Sequence, residues 1–192
     1  MAMGLLKEGI NEVIGTTTVN AAPMGVIYRN GRYTMVAYLG SHTSENLQNQ
    51  GYMVANIVHD PVIYVTTAFD DLPDEAFAAE TVDGLILHRL ACAEAWVAMK
   101  AVIERKTPEA LIVALQPVHQ EIVQHTIHPV NRGFCSIIEA TVHATRFIRT
   151  GDPALRDLIG HHISLAKKCG GKRELEAVEI LSGYIEGFTD PL

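Results

Sequence analysis

The sequence is defined first by what it lacks. It has three cysteines in 192 residues, Cys92, Cys135 and Cys169. They are odd in number, widely spaced and free of any CxxC pair, which argues against a disulfide framework and a cysteine-built zinc site and favours a reducing cytoplasm. Both Cys92, in an apolar run, and Cys135, on an apolar helical stripe, read as buried thiols. No apolar run approaches the roughly 20 residues of a membrane span. The first ten residues, with Lys7 and Glu8, lack a signal-peptide core. Basic residues are few: 15 Lys and Arg against 22 Asp and Glu, for a net charge of −7. Nucleic-acid affinity draws mainly on Lys and Arg, so that class is disfavoured, although one small phosphorylated ligand is not. There is no GxSxG, P-loop or GxGxxG, which removes the usual hydrolase and dinucleotide signatures. Trp96 is the only tryptophan and reads as core.

What is present is a large apolar fraction, 48%, with only 19% charged residues, enough for a real core. The chain divides into two regimes. Residues 1–122 read mainly as strands and 123–192 as helices. Strands are expected over 7–18, 20–28, 33–39 and 52–58. Asn30-Gly31, a pair suited to positive φ, joins the second to the third as a hairpin. Ser41 or Thr43 caps a short helix that Gly51 closes. Asp60-Pro61 resembles a helix start, and 61–69 is read as helix despite its β-branched run. Asp70 to Asp83 holds six acidic residues and no basic one and reads as a solvated loop. Residues 92–104 and 110–118 form a second long hairpin. Three amphipathic helices follow. Their expected faces are Phe134, Ile138, Thr141, Val142, Thr145 and Ile148; then Leu155, Leu158, Ile159 and Ile163; then Leu175, Val178, Leu181, Tyr184 and Ile185. The fold class is thus mainly β with α: an antiparallel six-stranded split β-barrel plus a C-terminal helical unit.

Two short stretches carry possible chemistry. In Asn20-Ala21-Ala22-Pro23-Met24-Gly25 the small alanines let a flat ligand approach the backbone. Pro23 removes a ladder donor, and Gly25 permits close approach. An ordinary bulged edge strand explains the same residues. In Ser41–Asn46, helix-start N–H groups and hydroxyls suit an anion, but a plain N-cap, which every helix start needs, is the stronger reading of the residues alone. Nine histidines offer no familiar metal-ligand spacing, and no metal is expected. Asn131-Arg132 reads as an N-cap followed by a solvated arginine, with an anion site as the alternative.

The ordered set Asn-Ala-Ala-Pro at 20–23, Ser-x-Thr-x-x-Asn-Leu at 41–47, Gly51 and Val-Ala-Asn-Ile-Val at 54–58 resembles the flavin-reductase-like, FMN-binding split-barrel superfamily. Pro129 to Arg132, Ile138-Glu139-Ala140 and Thr145-Arg146 are similar to the C-terminal pattern of a largely archaeal, uncharacterised branch with a helical extension. The resemblance implies FMN, a homodimer with the flavin near its interface, and a small-molecule electron donor or acceptor. It implies that Asn20, Ala21, Ala22, Pro23, Met24 and Gly25 border the ring and that Ser41 and Thr43 meet the phosphate with His42 nearby. Asn46 and Asn56 would be supporting or ribityl contacts, and Thr16, Thr17 and Thr18 would line the adjoining strand end. Residues 41–50 lack the Lys or Arg common near the phosphate in that superfamily. His42, Arg29, Arg32 or Arg132 would have to substitute. The expected activity is flavin-dependent oxidoreduction. The alternatives are a carrier, sensor or accessory subunit without turnover, and an interaction protein whose barrel has lost its ligand.

Overall fold

The structure is a computed structural model that describes residues 4–189. The chain forms two compact units and passes between them after Val58, after Asp71 and after Thr126. Among the described residues no helix is long and apolar enough to cross a membrane.

The first unit is a barrel. Its strands are β1 (Gly9–Thr17), β2 (Asn20–Arg29), β3 (Arg32–Tyr38) and β4 (Tyr52–Ile57), with α1 (His42–Gln50) between the last two. A separate two-stranded sheet follows, β5 (Phe77–Val82) with β6 (Leu85–Leu90), and the long pair β7 (Ala95–Lys106) and β8 (Ala110–Ile122) completes the unit. The order around the barrel is β1-β2-β3-β8-β7-β4, and β4 closes it on β1 by pairing Asn56 to Val54 with Ile14 to Thr16. Every neighbouring pair is antiparallel. Alternate side chains therefore line one interior, where Val13, Val26, Met35, Met53, Ala55, Val97, Met99, Leu111 and Val113 pack together. The Asn-Gly hairpin is as expected: Asn30 and Gly31 adopt φ of 52° and 77° between β2 and β3. Pro117 sits at a register shift in the β7–β8 pair, where its missing N–H does no harm.

The acidic stretch is only partly loop. Residues 77–82 form β5, paired along its length with β6 through a two-residue turn at Asp83 and Gly84, φ 51° and 79°. Val82 and Leu87 of this hairpin cover Val54, Trp96 and Ala98, giving the outer side of the barrel wall a small second core. The burial of Trp96 follows from this cover.

The second unit contains α2 (Pro61–Phe69), α3 (Arg132–Thr150), α4 (Pro153–Cys169) and α5 (Lys172–Thr189). Asp60 caps α2 by accepting from the Val62 N–H at 2.9 Å. Cap, N1 proline and buried packing together override the strand preference of Val62 to Thr67. Arg173 grips the same carboxylate with two nitrogens, at 2.9 and 2.7 Å, which ties the start of α5 to the start of α2. The buried face of α3 differs from expectation. It is Gly133, Ser136, Ile137, Ala140, Thr141, Ala144 and Phe147, whereas Thr145 is exposed. Small residues permit close helix packing here, and a search for large apolar side chains passes over them. Leu158 and Leu175, expected inside, are 42% and 40% exposed. Cys92 and Cys135 are exposed rather than buried. Cys92 lies in the turn before β7, and Cys135 lies beside the α3 stripe rather than on it.

Candidate functional site

At one end of the barrel a cavity of about 280 Å³ is lined by Thr16, Thr17 and Thr18 of the β1–β2 hairpin, by Gln50, Tyr52, Met53 and Val54, and by Leu85 to His88 of β6. The lining contains no Asp, Glu, Lys or Arg. One side is apolar and the other presents hydroxyls, a composition suited to a flat ring with one greasy and one polar edge.

Of the residues singled out from sequence, Thr16, Thr17 and Thr18 line this cavity, whereas Asn20 to Gly25, Ser41 to Thr43, Asn46, Asn56 and Arg132 do not; strand alternation also divides those on β1 and β2. Val13 pairs with Met24, Gly15 with Ala22 and Thr17 with Asn20. Val13 is in the barrel core with Met24 against it, so Thr17, Asn20 and Ala22 share the inward face. Thr16, Ala21, Pro23 and Gly25 share the other.

The inward set meets α1. Asn20 Nδ2 donates to Thr43 Oγ1 at 3.2 Å. Asn46 Nδ2 donates to the Thr17 carbonyl at 3.1 Å and to Thr17 Oγ1 at 3.2 Å. Among the described residues, these bonds leave the Thr17 and Thr43 hydroxyl protons uncommitted, because in both cases the oxygen is the acceptor. Ser41 is the N-cap of α1: its hydroxyl accepts from the Ser44 N–H at 3.2 Å and donates to the Tyr38 carbonyl at 2.7 Å. His42 is exposed.

The outward set meets Asn56, whose side chain is fully buried. Its Nδ2 donates to the Ile14 carbonyl at 2.8 Å and to Thr16 Oγ1 at 3.1 Å, and its Oδ1 accepts from the Leu90 N–H at 2.8 Å. Thr16 Oγ1 in turn donates to the His88 carbonyl. The β5–β6 hairpin is thereby pinned to the barrel beside the cavity through two side chains, and both are consumed in doing so. Asn56 and Thr16 hold the site's shape; Thr17 and Thr18 remain able to reach a ligand.

β2 is an edge strand over most of the segment in question. It pairs with β1 from Asn20 to Tyr28, but with β3 only at Ile27 to Arg29. Among the described residues, backbone groups along 20–25 on the side away from β1 therefore lack a ladder partner and are available to a ligand. The close approach at Gly25 is made within the protein. A Cβ there would come within 2.8 Å of Ile10 Cγ2. Arg132 is the first residue of α3 and is exposed, and Asn131 caps that helix by accepting from the Gly133 N–H at 2.8 Å. Arg132 belongs to the helical unit and the other candidates to the barrel.

Thr18 has a φ of 56°, unusual for a β-branched residue, and it lines the cavity. Left-handed backbone at such a residue carries roughly 1–2 kcal/mol of strain. Thr18→Asn relieves part of this and is expected to raise stability by about 0.5–1 kcal/mol in denaturant melts.

Sequence reasoning missed the β6 wall, Leu85 to His88, and the floor residues Gln50, Tyr52, Met53 and Val54. The wall had a signal, since Asp83-Gly84 is the same kind of turn pair as Asn30-Gly31. The floor had none, because only closure of β4 onto β1 brings it there.

A six-stranded antiparallel barrel of this order, with a C-terminal helical unit, defines the class as a split β-barrel with a helical extension. It belongs to the family described as protein of unknown function DUF447, whose N-terminal domain matches residues 11–124 and whose C-terminal part matches 131–183. It is similar to the uncharacterized protein MJ1453 of Methanocaldococcus jannaschii, 26% identical over 90% of this chain and 96% of that one. Among solved structures, the FMN-bound protein MM1853 of Methanosarcina mazei is 35% identical, with a TM-score of 0.88 over 93% of this chain and 96% of that one. The 2-nitrobenzoate 2-nitroreductase NbaA of Pseudomonas fluorescens shares the barrel fold at 16% identity, with a TM-score of 0.50 over 62% of this chain and 67% of that one.

Proposed function

We propose that this protein is an FMN-dependent oxidoreductase that holds its flavin at the Thr16–Thr18 end of the barrel, near the interface of a homodimer. The observation that carries the reading is the FMN in the Methanosarcina relative, matched along nearly the whole chain at 35% identity. The cavity agrees with it: apolar Leu85 to Leu87 and Met53 suit the hydrocarbon edge of the ring, and the hydroxyls of Thr17 and Thr18 suit its polar edge.

When bound, FMN supplies the electron-transfer chemistry, taking up a hydride equivalent and passing electrons onward. The chain's own residues position and shield. The open edge of β2, from Asn20 to Gly25, offers backbone N–H and C=O groups, and the small side chains of Ala21 and Ala22 let a flat ring lie against it. Thr43, whose hydroxyl accepts from Asn20, would donate toward the phosphate beside His42 at the head of α1, whereas the Ser41 hydroxyl is already given to the Tyr38 carbonyl. The positive charge that 41–50 lacks would come from His42 or from a partner subunit. Asn46 and Asn56 act as supports, through Thr17 and Thr16 respectively. No side chain is required as an acid or base.

The dimer reading draws support from the apolar side chains left exposed beside the cavity. Val19, next to Thr18, is 47% exposed and Ile86 is 70% exposed, the kind of surface a partner subunit covers. The Thr17→Val variant, which removes one donor and keeps the shape, is expected to weaken FMN binding by about tenfold.

Anaerobic mixing of the FMN-loaded protein with NADH, NADPH or a reduced deazaflavin tests turnover. Bleaching of the flavin absorbance band by one of these donors is expected. A flavin that stays bound and oxidised with all three would refute the oxidoreductase and leave a carrier or accessory subunit.

A further inference from the structure

The three-helix part of the second unit contains a grouping that the flavin reading does not use. Glu139 and His143 lie four residues apart on α3 and so share a face. His162 comes from α4, and one ligand atom of each of the three side chains lies within 4.8 Å of the other two. The imidazoles of His143 and His162 have centroids 5.6 Å apart. Their Nδ1 atoms are both shut off from solvent, and neither has a hydrogen-bond partner.

Two orphaned imidazole nitrogens in one place need a physical reason. A buried polar atom without a partner forfeits its bond to water, and native proteins rarely leave one so. Here two occur side by side, with a carboxylate at hand. Hydrogen bonding between the two rings does not account for them, since both nitrogens are unpaired. A cation that accepts lone pairs does.

We propose that Glu139, His143 and His162 form a mononuclear site for a divalent transition-metal ion, with Zn²⁺ the best match, bridging α3 and α4. Two imidazoles and one carboxylate form a borderline-soft donor set that suits Zn²⁺ and its first-row neighbours and does not suit Mg²⁺ or Ca²⁺, which prefer all-oxygen ligands. Metal–ligand bonds near 2.0–2.1 Å place the donor atoms of a tetrahedral centre about 3.3 Å apart. Atoms that start within 4.8 Å can reach this spacing by side-chain rotation without helix movement. Glu139 is exposed and both histidines are half-buried, so an ion has a route in and the fourth position opens to water or to a ligand atom. His161, adjacent in sequence, is exposed and is not part of the group.

The test uses the tag-free, full-length protein, stripped with a chelator and free of flavin. Zn²⁺ is followed by calorimetry and Co²⁺ by visible absorbance. One ion per chain is expected, with a dissociation constant of about 1 μM or tighter and with the strong visible bands of a tetrahedral Co²⁺ centre. His143→Asn and His162→Asn should each weaken binding by about 100-fold or more. Glu139→Gln, a surface change that leaves folding intact, should weaken it by about tenfold or more, and His161→Asn should bind as the wild type does. Binding only above about 100 μM, binding indifferent to the Glu139, His143 and His162 variants, or binding lost only in His161→Asn would each overturn the proposal. None of these readouts depends on the flavin.

Discussion

Asn56→Leu is expected to destabilise the barrel unit by about 3–4 kcal/mol, because it strands buried hydrogen-bonding groups while keeping side-chain volume. Asn56 is fully buried, and its amide donates to Ile14 and Thr16 and accepts from the Leu90 N–H. Leucine leaves that N–H and the Ile14 carbonyl without the side-chain partner they now have. An unsatisfied buried group costs about 1–3 kcal/mol, more than the net worth of a bond that is merely exchanged for water. For a chain of this size the loss corresponds to a fall in Tm of about 10 °C. The variant also cuts the tether between Leu90 and the barrel wall, so the β5–β6 wall loosens and FMN affinity falls with stability. Thermal melts followed by near-ultraviolet circular dichroism, which reports on Trp96 packed beneath that hairpin, check the first effect. A change in Tm below about 3 °C would show that Asn56 does not carry the load assigned to it.

Gly133→Ala should be the second most damaging single change, at about 2 kcal/mol. A Cβ at Gly133 would lie 2.5 Å from Gly170 Cα and 2.6 Å from its nitrogen. Both are backbone atoms at the end of α4, so no side chain can rotate out of the way. Overpacking of this kind costs about 1–3 kcal/mol, and the upper part of that range applies. The better helix propensity of alanine returns at most about 1 kcal/mol. Gly15 provides the contrast. Its added Cβ would meet the Met24 sulfur at 2.3 Å, but that is the mobile end of a flexible chain, and Gly15→Ala should cost about 1 kcal/mol or less. Denaturant melts of the two variants side by side test the ranking. A Gly133→Ala protein as stable as the wild type would mean that α3 and α4 pack less closely than described.

Much of the fold is readable from local chemistry. Asn30-Gly31 marks a hairpin because only a few residues accept two successive positive φ values. Asp60-Pro61 marks a helix start because cap and proline act at the terminus, where β-branched residues further along have no vote. The β5–β6 hairpin carries the same kind of signal at Asp83-Gly84, but the acid-rich run before it disguises a strand, since Glu80 and Asp83 are as compatible with a solvated loop. The α3 face was misread because Gly133, Ala140 and Ala144 contribute little apolar bulk yet define where two helices can approach.

The candidate site was legible as a neighbourhood and not as an arrangement. Asn20 meets Thr43 and Thr17 meets Asn46 through side-chain hydrogen bonds. What spacing alone does not reveal is that pairing of β1 with β2 sends alternate residues to opposite faces. Asn20 and Thr17 therefore turn toward α1, and Thr16 turns toward Asn56 and His88. It also hides which hydroxyls are already engaged. Thr16 donates to His88 and Ser41 to Tyr38, whereas Thr17 and Thr43 only accept. In the helical unit, Glu139 and His143 are visible as an i, i+4 pair, but His162 joins them only through the packing of α4 on α3.

The central claim is tested most directly by titrating FMN into the purified, flavin-free protein and following the quenching of flavin fluorescence, with the Thr17→Val protein measured alongside. One FMN per chain with a dissociation constant of about 1 μM or tighter, weakened about tenfold by Thr17→Val, is the predicted result. A flavin signal unchanged at about 100 μM protein would contradict the account.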